Sequence, residues 1–247
     1  MIAIKQNKTF QGGNLTALEF QKLFYEFLQS KQWTLKKAKQ LSGGGITKQN
    51  KKMPFYNYDL SAWDCNKGSK LRLVKDSVCG SCYAMKGNYL RYKNGSVGRS
   101  HKLHLKSLEN NFDWVIAMAY QIIHYKTEYF RFHASGDLQS LSHAIQIINL
   151  ARITPHCKYW IPTRETKILK QLKDKKINIP NNCIFRVSAP MVDSHLNSKV
   201  FKNTSSVISE SSKAIGKICP SQTQGGQCLD CRACWNSKNT NINYLIH

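Results

Sequence analysis

The sequence predicts an α/β fold: a partial or irregular (βα) barrel with a helical N-terminal extension and a Cys-rich C-terminal metal-binding segment. Three observations carry that expectation. From residue 110 onward, apolar strand patterns alternate with helical patterns, as in parallel strands joined by crossover helices. The strands lack strict polar alternation, as expected where both faces are covered. Roughly four or five such units are visible, fewer than the eight of a complete barrel. An open doubly wound sheet is the alternative.

Three parts are expected: a helical cap and basic linker over 1–54, a βα core with a first Cys group over 55–210, and a four-Cys segment over 211–247. In the first part, Leu18, Phe20, Leu23, Phe24, Phe27 and Leu28 recur at helical spacing, which predicts an amphipathic helix. Thr34 is placed to cap a second helix, TLKKAKQL. Gly43-Gly44-Gly45 ends it, and ITKQNKK reads as a basic linker. A DNA-binding helical pair is a second reading of this part. Residues 55–105 read as loop-rich. Phe112, Val115, Ile116, Ala119, Ile122 and Ile123 outline a helix. Strands then follow at 128–134, 157–162, 183–189 and 205–210, with helices at 138–153 and 165–176.

Composition narrows the function classes. The chain has 247 residues, with 37 Lys and Arg against 14 Asp and Glu, a net charge of +23. Its 11% aromatic content is too high for a disordered chain. No run approaches the ~18 apolar residues of a membrane span. The start, MIAIKQNKTFQGG, lacks an apolar signal region, so a cytoplasmic setting is expected. The charge invites a polyanion partner, DNA or RNA. A Lys bias imposed by an AT-rich genome explains part of it equally well. Nine cysteines in a reducing compartment read as metal ligands rather than disulfides.

Chemistry in such folds collects at the carboxyl ends of strands, and those ends are polar here. The first carries His133, Ser135, Gly136 and Asp137, the second Thr163, Arg164 and Glu165, the third Arg186 and Ser188, the fourth Ser209 and Glu210. His133, Asp137, Arg164 and Arg186 are the candidate catalytic residues, and Ser135, Gly136, Thr163 and Ser188 the candidate cofactor contacts. Capping by Ser135 or Asp137 is the structural alternative.

The cysteines fall into two sets. Cys219, Cys228, Cys231 and Cys234 form C-x8-C-x2-C-x2-C, with Gly225 and Gly226 supplying turn freedom. The C-x2-C-x2-C run matches the start of a ferredoxin-type cluster site, and zinc is the rival. Cys65, Cys79 and Cys82 form C-x13-C-x2-C. Three thiolates on a [4Fe-4S] cubane leave one iron open, and a zinc ion completed by His101 or His104 is the alternative. Cys157 and Cys183 begin strands and read as buried core residues.

Phe130 to Asp137, the Cys79-x2-Cys82-Tyr83-Ala84 element and Cys228-x2-Cys231-Arg232-Ala233-Cys234-Trp235 together resemble a family of phage and mobile-element proteins. That family is named after a mycobacteriophage's gene product eighty-eight. The resemblance runs over roughly 55–247 and implies no assigned activity. The Cys-x2-Cys-Tyr-Ala element also resembles a phage family similar to radical S-adenosylmethionine proteins. The usual radical motif is C-x3-C-x2-C with an aromatic residue before the last cysteine. Here the first gap is 13 residues and Tyr83 follows Cys82.

Two functions are therefore expected to compete. One is an iron–sulfur enzyme, radical S-adenosylmethionine-like, acting on nucleic acid or a nucleotide with one or two [4Fe-4S] clusters. The other is a non-catalytic, metal-stabilised nucleic-acid-binding protein. In the first, the basic stretch from Lys86 to Lys106, interleaved with Tyr89 and Tyr92, is suited to phosphates and stacked bases, an ordinary solvated surface loop being the alternative. A metal nuclease on Asp137 and Glu165 lacks a paired-carboxylate motif.

Overall fold

A computed structural model describes residues 22, 25–26, 33–47, 52–109 and 111–246. Its centre is a seven-stranded sheet made of β1 (Tyr56–Tyr58), β2 (Tyr129–Phe132), β3 (Lys158–Thr163), β4 (Cys183–Ser188), β5 (Thr204–Ile208), β6 (Lys217–Ile218) and β7 (Asn241–Leu245). The strand order is β1-β2-β3-β4-β5-β7-β6 and every pair is parallel. Around it run α1 (Leu35–Leu41), α2 (Asn66–Leu71), α3 (Gly87–Arg91), α4 (Ser96–Ser107), α5 (Asn111–His124), α6 (Leu141–Ile153) and α7 (Thr166–Asp174). None of the described helices is long and apolar enough to cross a membrane.

The expected βα units are present, and their local chemistry explains their bounds. Ser140 starts α6, accepting from the main-chain N–H of His143 at 3.1 Å. Thr34 caps α1 through Lys37 in the expected way. In α7, Ile168 and Leu172 are buried while Lys167, Lys170 and Lys173 are exposed. The helix expected near 18–28 lies largely outside the described residues, as does Lys48 to Lys51 of the basic linker.

Three strands and three helices differ from the sequence expectation. β1 is short, β6 has two residues, and β7 carries Asn at its two most buried polar positions, so none has an apolar strand pattern. Residues 55–105 are loop-rich, as expected, but also hold α2, α3 and most of α4. α4 starts at Gly95 without a side-chain cap and holds few apolar residues. It forms because Tyr58 and its neighbours receive it: the Tyr58 hydroxyl lies 3.0 Å from Ser107 Oγ, and the ring stacks on His104 at 4.0 Å.

Alternation along the strands divides the sheet into two unlike faces. Phe130, Phe132, Tyr159, Ile161 and Phe185 point to α5 and α6 and form the main core with Trp114, Ile116, Ile147 and Leu150. Cys157 and Cys183 are buried in this same core, as expected. Tyr129 and Trp160 point the other way. They pack with Phe55, Met53 and Trp235, so the C-terminal cysteine-rich segment covers this face. That segment is the connection between β6 and β7 rather than an appendage. Trp235 pins it by donating its indole N–H to the Phe130 carbonyl at 2.9 Å.

The β1 and β2 ends are in close contact. Gly136 has φ +86°, and a Cβ there would lie 2.6 Å from Leu60 Cβ and 2.8 Å from the Leu60 carbonyl. Gly136→Ala is therefore expected to destabilise the protein by about 2–4 kcal/mol, combining left-handed backbone strain with overpacking. Denaturant unfolding checks this, and a shift under about 0.5 kcal/mol would contradict the close approach.

Candidate functional site

The carboxyl ends of β1, β2 and β3 are tied together by two buried carboxylates. Asp59 follows β1. Its Oδ1 accepts from the N–H groups of Ala134 at 2.7 Å and Ser135 at 3.3 Å. Asp137 follows β2. Its Oδ1 accepts from Leu138 N–H at 2.7 Å and from the Thr163 hydroxyl at 2.5 Å, and its Oδ2 accepts from Arg164 N–H at 2.8 Å. Burial pushes both carboxyls up to about 6. For Asp59, Arg131 and the two main-chain donors oppose the rise, and for Asp137 the Thr163 hydroxyl leads the opposition. Asp137 is thus a joint between two strand ends with three donors already on it. Thr163 shares that joint, and its hydroxyl also accepts from Glu165 N–H at 3.0 Å.

The three thiols gather on this joint. Glu165 Oε1 accepts from Lys67 N–H at 2.7 Å, holding the start of α2 against β3. Cys65 immediately precedes α2. Val78 N–H donates to the Pro190 carbonyl at 2.9 Å, which fixes Cys79 beside the end of β4. Gly68 leaves the space between them: a Cβ there would lie 2.9 Å from Cys65 Cβ, 3.6 Å from Cys65 Sγ and 3.7 Å from Cys79 Sγ. Burial pushes the Cys65 thiol up. Asp137, Cys82 and Cys79 add to that rise and Arg164 opposes it. Burial likewise raises Cys79, with Arg164 the leading opponent and Arg72 a smaller one. Cys65, Cys79, Cys82, Asp137 and Arg164 thus form one electrostatic neighbourhood.

The four C-terminal thiols form the second set. Burial raises Cys228, with Cys219 and Cys231 adding and Lys52 and Arg131 opposing. Cys234 is pushed up to about 11 by burial, while the Tyr244 hydroxyl, Arg186 and Arg131 hold it down. Its Sγ lies 3.4 Å from the Tyr244 hydroxyl. Gly225 and Gly226 have φ +61° and +79°, the turn freedom the sequence implied. The Arg186 guanidinium is fully buried and donates to the carbonyls of Thr204 at 3.0 Å, Asn239 at 2.9 Å, Asn236 at 3.4 Å and Cys234 at 3.5 Å. Arg186, on β4, therefore stands with the second thiol set and fastens its loop to β4 and β5.

Among the described residues, no group of three or more His, Cys, Asp or Glu closes tightly enough to ligate a single metal ion. What the two thiol sets share is donor chemistry. Each is all-sulfur, and each has cations beside it to balance thiolate charge: Arg164 and Arg72 for the first, Lys52, Arg131 and Arg186 for the second. His104 is committed elsewhere, with Nδ1 2.8 Å from the Asp59 carbonyl, and burial lowers it to about 4. His101 packs against Tyr89 at 6.2 Å.

The remaining expected residues divide. His133 is buried at φ +57° with its ring 5.4 Å from His143. Burial, then His143 and Arg131, keep it neutral, with a main-chain contact to Pro162 opposing them. Ser135 Oγ is buried without a hydrogen-bond partner. Ser188 Oγ lies 3.0 Å from Ser205 Oγ. Ser209 and Glu210 are not brought in: Ser209 donates to Asp193, which also pairs with Lys213 at 2.8 Å on the surface.

Two residues of the site, Asp59 and Arg131, are not among those the sequence singles out. Arg131 lies 4.5 Å over the Trp160 ring and donates to Tyr83 Oη at 3.3 Å and Met53 Sδ at 3.3 Å. Burial works against its charge, but Tyr83, Asp59 and Tyr244 outweigh it. It therefore bridges the loop that follows Cys82 and the second thiol set. An arginine inside the run Tyr129-Phe130-Arg131-Phe132 is the signal that points to it, since a buried cation needs partners.

Asp59→Asn keeps the Oδ1 acceptor and removes the titration. A carboxyl raised in the folded state adds stability below its unfolded pKa of ~3.9, lost as pH rises through about 6. Between pH 4 and pH 7 the native chain is expected to lose stability relative to Asp59→Asn, on the order of 2 kcal/mol. Denaturant unfolding at the two pH values checks this, and parallel pH profiles would refute it.

Neither the curated proteins nor the solved structures contain a match to this chain. A family model does match. It starts before α1, earlier than the resemblance read from the motifs, and takes in both thiol sets and the strand-end joint. The matched family is described as gene product 88, the match covers residues 28–237, and the chain belongs to that family.

Proposed function

We propose that the chain is an iron–sulfur protein, a radical S-adenosylmethionine-like enzyme acting on nucleic acid or a nucleotide in a reducing cytoplasm. The observation that carries this reading is the three-thiol set at the carboxyl ends of parallel strands, beside Asp137 and Arg164. The sheet is taken to curve as a partial barrel, with helices outside and the four-Cys loop inside. Cys65, Cys79 and Cys82 would hold a [4Fe-4S] cluster with one open iron, and Cys219, Cys228, Cys231 and Cys234 a second. When bound and reduced, the first would supply the electron that cleaves a sulfonium bond.

The chain's own residues would do the rest. Arg164 is suited to a cofactor carboxylate or a substrate phosphate. Asp137 orients it by holding its main-chain N–H. Arg186 and Arg131 position the second thiol set. No disulfide joins any of the nine cysteines, which leaves all seven ligands free as thiols.

A non-catalytic reading is favoured by one observation. Lys86, Arg91, Lys93, Arg99, Lys102 and Lys106 on and around α3 and α4 are all exposed, and Tyr92 is exposed among them. Tyr89 is half-buried between Tyr83 and His101. Such a surface tracks a phosphate backbone with or without catalysis.

Anaerobic purification with iron and sulfide analysis tests the reading. About eight irons per chain are expected for two cubanes. Cys79→Ser with Cys82→Ser should halve the iron and spare the C-terminal set. Gly68→Ala, which crowds Cys65 and Cys79, should lower iron at the same set. A colourless, zinc-only protein would refute the cluster reading. On reduction with S-adenosylmethionine, 5′-deoxyadenosine is expected. None formed under competent reduction, with nucleic-acid binding that weakens steeply with salt, would establish the non-catalytic reading.

A further inference from the structure

Beside the three-thiol joint, where β3 and β4 end, lies an open cleft of about 320 Å³. That is the lower end of the range for small-molecule sites, ~300–1,000 Å³. Its lining is of two kinds. From α2, and from α7 and the residues just before it, come Lys67, Arg164 and Lys170, and from the segment that follows β4 come Pro190, Leu196 and Phe201. Among the described residues, no carboxylate lines it. The two carboxylates bonded to the main chain of Lys67 and Arg164 are committed: Glu165 accepts from Lys67 N–H, and Asp137 from three donors.

The cationic part of the lining is held in place. Lys67 sits in the first turn of α2, which Glu165 anchors, and its Nζ donates to Thr166 Oγ1 at 3.2 Å. Arg164 is fixed through its main chain by Asp137, while its Nε is enclosed and has no hydrogen-bond partner. A buried guanidinium N–H without an acceptor is costly, and an anion in the cleft would supply one. Three cations without a carboxylate suit a group with more than one negative charge. An inorganic anion would leave Leu196 and Phe201 wet. A ligand with a flat apolar body and a phosphate uses both parts.

We propose that this cleft binds a nucleoside phosphate, its phosphate on Lys67, Arg164 and Lys170 and its base against Phe201. The inference deepens the proposed function by naming where the substrate's phosphate sits, and it shares that reading's substrate class. The phosphate belongs either to a free nucleotide or to the end of a strand. Binding needs no cluster, so it is separable from the radical chemistry.

Calorimetry on the full chain tests this with adenosine 5′-monophosphate, adenosine and inorganic phosphate. The monophosphate is expected to bind at least tenfold more tightly than either part. Lys170→Glu, at an exposed position on α7, should weaken the monophosphate at least tenfold and adenosine less than twofold. Phe201→Ala should weaken the monophosphate and adenosine alike and leave inorganic phosphate unchanged. The same titration on the Cys79→Ser, Cys82→Ser chain should give the same affinity, so loss of the cluster and loss of the cleft read out separately. A short oligonucleotide with a 5′-phosphate displaces the monophosphate at lower concentration if the source is a strand end, and at higher concentration if it is a free nucleotide. Either order supports the proposal. Monophosphate binding no tighter than adenosine, or unchanged in a folded Lys170→Glu chain, overturns it.

Discussion

The Asp59 carboxylate is the contact on which the site is built. It sits just past β1 and takes the N–H groups of Ala134 and Ser135 just past β2. That pairing draws the two strand ends so close that only glycine fits at 136. The turn at Gly136 in turn aims Asp137 at Thr163 and Arg164. Three parallel strands are thereby joined at their carboxyl ends by side chain to main-chain bonds rather than by apolar packing. Two carboxylates withdrawn from water bear a desolvation penalty, and the donors around them offset it. The geometry is specific because a buried acceptor left without its donors would be costly.

The two faces of the sheet solve different problems. One face is closed by α5 and α6 with large apolar side chains, as in other sheets with helical crossovers. The other is closed by a loop that has no helix longer than one turn. Such a loop lacks its own ladder of main-chain bonds, so the fold supplies partners from side chains. Arg186 takes three carbonyls of the loop and one of β5, and Trp235 reaches Phe130. The thiols on that loop then lie against guanidinium groups rather than in plain hydrocarbon. The same arginines that satisfy the backbone also set the local potential of the sulfurs.

Much of this architecture is legible in the amino-acid sequence. Units such as Cys183–Ser188 and Leu141–Ile153 announce themselves by their apolar residues, although the helix starts after the Ser140 cap rather than at 138. The two cysteine sets are plain from spacing. β1, β6 and β7 are not legible, because β6 has only two residues and β1 and β7 are short and rich in Asn and Tyr, with no distinctive period. α4 is hidden for a related reason: its apolar positions are few, and its stability comes from Tyr58 and its neighbours rather than from propensity.

The sequence by itself determined the class of fold, the cysteine partition, the basic composition and the polar character of the strand ends. Tertiary structure alone decided which of those polar groups meet. It separated Arg186 from Arg164, the first facing a loop of carbonyls and the second facing thiols and an open cleft. It brought in Asp59 and Arg131, which are 72 residues apart in the chain. The reason is physical. A residue's type limits what it can bond to, but a buried charge is stable only where folding delivers its partners, and those partners come from distant strands.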